Sequence, residues 1–254
     1  MSFRAIRITV LLLVLALVGG MTYWEGALVR SWLRPLDIVI HPVNGDGSDA
    51  SAAYIAHLDE SNFQEIADFF DTEAARYRLK KLPGVRIRLG REIGELPPAP
   101  PDGARGALAS IAWSLKTRHY AFRHTPFWGS LGHIRLFVVY HEGEDGTPLQ
   151  HSLGLRKGLI GVVHAFAQRD MAAKNNVVIA HELFHTLGAS DKYDADGQPV
   201  WPEGFGDPGE APRYPQHMAE LMAGRRALAP DRAEIPDSLA RCVVGPKTAY
   251  EISW

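Results

Sequence analysis

Cysteine is almost absent: the 254 residues carry one, Cys242. That excludes an internal disulfide framework, a four-cysteine zinc site and a CxxC redox motif. One free thiol fits any redox compartment, and Cys242 reads as a small buried residue. An excess of one charge is also missing. The 27 Lys+Arg stand against 29 Asp+Glu, which removes any global electrostatic case for nucleic acid as a partner. Internal repeats are absent too. Apolar residues are not scarce: 46% hydrophobic against 22% charged describes a globular chain rather than a disordered one. The length suits one domain with a sizeable core and an appendage.

The appendage is N-terminal. Residues 8–24, ITVLLLVLALVGGMTYW, carry no charge; Arg4 and Arg7 precede them and Glu25 ends the run. At about 17 residues the run meets the lower limit for crossing the hydrocarbon core. A cleaved signal peptide wants a small-x-small site, which Ala16, Gly19 and Gly20 supply poorly. An uncleaved anchor finds Tyr23 and Trp24 at the interfacial belt. The expectation is one transmembrane helix, with residues 1–35 as membrane anchor (or signal peptide) and connector. Residues 36–254 then form a domain outside the cytoplasm, periplasmic or extracellular, and secreted if the segment is cleaved. Arg30 and Arg34 on the far side weaken the charge asymmetry that sets orientation.

Along the domain, LDIVIHPV (36–43) predicts a strand and NGDGSDAS (44–51) a loop. Phe63, Ile66, Phe70 and Ala74 recur at helical spacing, so a helix is expected over about 60–80 with Ser61 as its cap. VRIRL (85–89) alternates as a half-buried strand does. ELPPAPPDG (95–103) reads as a flexible proline-rich loop. A helix over about 104–118, a strand at 133–140, a turn at 143–146 and one or two glycine-interrupted strands at 152–167 follow. Beyond residue 200 the chain is rich in proline and glycine, with one short helix expected near 216–227. His141, His151 and His164 read as structural histidines near strand ends.

The segment NNVVIAHELFHTLGASDKYD (175–194) carries chemistry. In His181-Glu182-Leu183-Phe184-His185, residues four apart share one helix face, so two imidazoles can bind one ion with Glu182 beside the first. Asn175 or Asn176 is a candidate cap, and Val177, Val178, Leu183 and Leu187 offer apolar faces. Neutral imidazole suits zinc, which accepts three protein ligands and an open position. Gly188 can take the left-handed conformation that ends a helix, and the resulting turn would bring Asp191 back as an oxygen ligand. Glu220 is the rival third ligand, as a downstream glutamate from a second helix.

The pattern HExxHxxGxxD resembles the metzincin clan of zinc metallopeptidases, in the variant with Asp as third ligand found in snapalysin-like enzymes. The resemblance spans about residues 36–225, and its specific part is 181–191. It implies an α+β, zincin-like mixed sheet with a HExxH active-site helix. It also implies Zn2+ held by His181, His185 and Asp191, with Glu182 as general base. A methionine turn beneath the metal is implied as well: AELMAG (219–224) points to Met222, with Met218 as runner-up. Together with Gly188, Met222 favours Asp191 over Glu220. Tyr193, Tyr214 and His217 are candidates for an oxyanion donor. The implied activity is hydrolysis of protein or peptide substrates, as an endopeptidase, with a sheet edge such as 152–167 receiving the peptide. Residues 197–215 would form a loop close to the site. Two other functions stay open: a membrane-anchored assembly module with a structural zinc, and a zinc hydrolase of non-peptide amides. Asp194, Asp196, Gly197 and Glu203 suggest a calcium loop, but Lys192 stands at its first ligand position, so a polar turn is expected.

Overall fold

Two apolar segments bury most of their side chains, on both faces: LDIVIHPVN (β1, Leu36–Asn44) and IRLFVVYH. Two-sided burial is what the centre of a helix-covered, largely parallel sheet requires. The structure, a computed structural model, describes residues 3–77, 84–101, 106–125, 132–143, 152–155 and 159–254. An N-terminal helix α1 (Phe3–Val29) precedes β1. After β1 come α2 (Asp49–Ile55), α3 (Gln64–Arg76), β2 (Val85–Leu89) and α4 (Gly106–His124). Then follow β3 (Ile134–His141), β4 (Leu153–Leu155), β5 (Ile160–Phe166) and α5 (Ala172–Leu187). The C-terminal third has four short strands, β6 (Ala219–Glu220), β7 (Arg226–Ala229), β8 (Arg232–Glu234) and β9 (Cys242–Val243), and a last helix α6 (Pro246–Glu251).

The main sheet has the order β2-β1-β3-β5-β4. Its first four strands are parallel, and β4 runs antiparallel to β5 at the edge. Ile38, Ile40, Leu136, Val138 and Val163 face a core with Ile66 and Phe70 of α3 and Val177, Ala180 and Phe184 of α5. The Phe70 ring lies 4.8 Å from that of Phe184 and 5.8 Å from that of Trp254, which ties the chain's end to the same core. On the opposite face Val43, Phe137, Val139 and Val162 pack with Ile93 and with Tyr120 and Ala121 of α4. The expected mixed sheet is thus present. Helices cover both its faces, so the architecture is mixed α/β around a mainly parallel sheet rather than α+β.

Several expectations need correction. The loop expected over 44–51 ends in α2, because Ser48 accepts the Ser51 amide and starts a helix. The helix expected over 60–80 begins as a 3-10 turn capped by Asp59, not Ser61, and ends as α3 at Arg76; residues 78–83 lie outside the described residues. The proline-rich segment is tied to α4 at two points: Trp113 Nε1 donates to the Pro98 carbonyl at 2.9 Å and the Tyr120 hydroxyl to that of Glu95 at 2.6 Å. In place of a helix near 216–227 there are β6, a 3-10 turn and β7, because Gly224 takes φ 65° and reverses the chain. His151, most of the turn at 143–146 and residues 156–158 lie outside the described residues.

The apolar run at 8–24 lies within the 27-residue helix α1. Among the described residues no helix is long and apolar enough to cross a membrane. The 27 residues of α1 correspond to ~40 Å at 1.5 Å per residue. Its Leu11, Leu12, Leu13, Tyr23 and Trp24 are exposed, while Val29 at its end is buried in the core.

His141, at the end of β3, and His164, within β5, share a hydrogen bond of 2.9 Å on the α4 side of the sheet. Burial lowers the pKa of both, and the neighbouring His141 charge helps push His164 down to about 4. Both stay neutral in the fold at pH 7, whereas the unfolded chain binds protons below about 6.5. Stability from this pair is therefore complete above the unfolded value and declines as pH falls from 6.5 toward 4. Thermal melts in chelator should give a melting temperature that drops over that window, and His164→Gln should flatten the decline.

Candidate metal centre

The HExxH segment lies on the last turns of α5, as its apolar spacing requires: Ile179, Leu183 and Leu187 are fully or nearly fully buried. The helix starts earlier than expected, after Met171, so neither Asn175 nor Asn176 caps it. Both asparagines are buried and bond to other segments instead. Asn175 exchanges two hydrogen bonds with the Phe166 backbone of β5, and Asn176 Nδ2 donates to the Asn62 carbonyl. These contacts fix α5 against the sheet.

At the other end Gly188 takes φ 113°, a conformation that carries little cost only without a Cβ. The turn returns Asp191 to the helix. Its Oδ1 lies 3.2 Å from His181 Nε2 and 3.1 Å from His185 Nε2, and the two Nε2 atoms are 3.1 Å apart. Each imidazole is oriented from behind by a carbonyl: Leu221 accepts from His181 Nδ1 at 2.9 Å, and Ala189 from His185 Nδ1 at 3.0 Å. With the proton on Nδ1, both Nε2 lone pairs and a carboxylate oxygen face one point. Three acceptors this close repel one another unless a cation or a shared proton lies among them.

The spacing fits an ion. Ligands bound tetrahedrally at ~2.0–2.1 Å stand about 3.3 Å apart. Imidazole and carboxylate donors suit zinc and other divalent transition ions. His181, Glu182 and His185 form a group whose donor atoms all lie within 4.8 Å, so it could hold a metal ion. The local field agrees. Burial would lower the His181 pKa, but its bond to Asp191, the Glu182 charge and the Leu221 carbonyl outweigh it and raise the value. Burial would raise Asp191, and the two histidines instead hold it well below the usual carboxylate range. Both directions describe a pocket that favours positive charge.

Glu182 is buried beside His181. The third-ligand side is open: the Asp191 side chain is 41% exposed, against 12% for His181 and 17% for His185. Tyr193 stacks on His181 with ring centroids 6.4 Å apart. Burial, the Asp191 charge and hydrogen bond, and Glu182 push its hydroxyl up to about 12, so it is a donor at neutral pH. The other two oxyanion candidates are engaged elsewhere: Tyr214 packs against Phe205, and His217 pairs with Glu210 at 3.2 Å.

Glu220, the rival ligand, is fully buried and turned away. Its carboxylate accepts from Ala223 N, Gly245 N and Thr248 Oγ1 at 2.7–3.1 Å, holding the turn at Leu221–Ala223 to α6. That turn places the Leu221 carbonyl on His181. Met222 is fully buried within it, whereas Met218 is only half-buried. Asp194 accepts the amides of Asp196 and Gln198, as expected of a polar turn. Sequence reasoning missed the carbonyls of Leu221 and Ala189, which no side chain announces, and Lys192, whose burial a charged residue in a polar loop does not suggest.

His181→Ala, His185→Ala and Asp191→Ala should each weaken metal binding by more than the ~10–100-fold typical of losing a supporting hydrogen bond. Glu220→Gln should keep one metal per chain while losing about 2 kcal/mol of stability from its disrupted hydrogen bonds. Elemental analysis and denaturant titration separate the two outcomes. No protein-family model matches this chain and no curated protein matches it, so the reading of the site rests on its own geometry.

Proposed function

We propose that this protein is a zinc metallopeptidase that cuts within protein or peptide chains outside the cytoplasm. The observation that carries the reading is the convergence of His181, His185 and Asp191 on one point, with buried Glu182 alongside and one side open to solvent. When bound, zinc supplies Lewis acidity, lowering the pKa of water toward neutrality and polarising a carbonyl.

The chain's own residues then divide the work. Glu182, held on α5 one residue from His181, takes the proton of the attacking water and returns it to the leaving amine as the C–N bond breaks. Tyr193, with its proton retained at neutral pH, is placed to donate to the oxyanion that develops at the carbonyl. Edge strand β4 lies against α5, and among the described residues no strand pairs with its outer side, which suits pairing with an extended peptide. Three ligands with an open side favour catalysis over a structural site, which four protein donors normally close. The apolar run at 8–24 behind Arg4 and Arg7 supports delivery from the cytoplasm, as a membrane-attached chain or as a secreted one.

The test is cleavage of casein and a peptide library by the zinc-loaded parent and by Glu182→Gln. Both should hold one zinc, and the variant should lose about 10²–10⁴ in kcat, the usual worth of a general base. Tyr193→Phe should lower kcat by about 10² with KM and zinc content nearly unchanged. Equal activity in parent and Glu182→Gln, iron in place of zinc, or hydrolysis confined to small amides would each contradict the proposal.

A further inference from the structure

Asp191 is the ligand supplied by a loop rather than by α5, and a loop holds a ligand only as well as its neighbours are tied down. Both neighbours of Asp191 are tied to one distant residue, Glu251 at the end of α6. The Ser190 amide donates to Glu251 Oε2 at 2.9 Å and the Ser190 hydroxyl to Oε1 at 2.9 Å. Lys192 Nζ donates to Glu251 Oε2 at 2.8 Å, to the Ser190 carbonyl at 2.7 Å and to Ser190 Oγ at 2.9 Å. The Lys192 side chain is only 3% exposed. Its amide donates to the Met222 carbonyl at 2.9 Å, and its carbonyl accepts from Val200 N at 2.8 Å. Every polar group of Lys192 is thus engaged, and both oxygens of Glu251 are used on the two residues that flank the ligand.

We propose that Glu251 is a positioning residue for the metal centre. Acting through Ser190 and Lys192, it fixes the loop so that the Asp191 carboxylate meets the two imidazole nitrogens. This rests on the metal reading of His181, His185 and Asp191. It also links the docking of the C-terminal helix to ligand geometry: Ile252, the next residue, is fully buried, and its carbonyl accepts from Trp32 Nε1 at 2.9 Å. Without Glu251 the loop keeps its sequence but loses the anchor that sets the carboxylate's direction, and the third donor loosens. A merely structural staple would instead lower the stability of the metal-free protein while leaving the affinity and ligand field of the folded protein alone.

The experiment uses the full chain, with Glu251→Ala, Glu251→Gln and Ser190→Ala beside the parent, below the melting temperature of each metal-free protein. Zinc affinity is read by competition with a chromophoric chelator, and ligand geometry by the visible absorption of the cobalt-substituted protein. Glu251→Ala should weaken zinc binding by about 10–100-fold and alter the cobalt bands. Glu251→Gln, which keeps an oxygen for Ser190 but loses the charge facing Lys192, should fall between it and the parent. Ser190→Ala should weaken zinc binding several-fold, and it carries the test if Glu251→Ala fails to fold. Zinc affinities within twofold of the parent, with superimposable cobalt spectra, would overturn the positioning role. A parent that takes up no zinc would overturn the metal reading and this inference with it. Weakened zinc binding in Glu251→Ala together with an inactive parent would support the inference and count against the peptidase reading alone.

Discussion

Two imidazole nitrogens and a carboxylate oxygen stand 3.1–3.2 Å apart at the end of α5. Lone pairs do not gather in a partly buried place without a positive charge among them. Much of the surrounding structure serves to hold this arrangement. The Leu221 and Ala189 carbonyls keep both imidazoles in the tautomer that turns Nε2 inward. Gly188 turns the chain so that the third donor can return. Glu220 spends its buried carboxylate on the turn that carries Leu221, accepting hydrogen bonds that would otherwise go unmade.

The sheet contributes rigidity. Its centre is buried on both faces, and α5 packs on one of them through Val177, Ala180 and Phe184. The asparagine contacts of α5 to β5 and to the Asn62 carbonyl prevent the helix from sliding along its apolar stripe. The open side of the site lies beyond the helix end, next to Tyr193 and the loop that follows it. Two donors on a helix and one on a braced loop leave one side of the cluster open to solvent.

The parts legible in the sequence were those set by local spacing. β1, β2 and β3 came from alternating or continuous apolar runs, and α5 from its motif and apolar faces. Gly188 and Asp191 could be placed because a helix end and its return turn are short-range events. What escaped depended on distant partners. Asn175 and Asn176 resembled caps, but their amides satisfy the backbone of β5 and of Asn62. The proline-rich segment resembled a flexible loop, but Trp113 and Tyr120 of α4 pin it. Gly188 and Met222 already favoured Asp191 over Glu220, but the donors from Gly245 and Thr248 that occupy Glu220 are not legible in the motif. The role of Glu251 lies 59 residues beyond Lys192 and leaves no trace in the motif.

Zinc K-edge X-ray absorption on the zinc-loaded chain, with and without a hydroxamate, addresses the central claim most directly. The account predicts a four-coordinate ion with two imidazoles and one carboxylate from the chain. Its remaining position should be taken over by the hydroxamate, because the side beyond Asp191 is open. A sphere closed by four protein donors and indifferent to hydroxamate, or an ion bound away from His181 and His185, would contradict it.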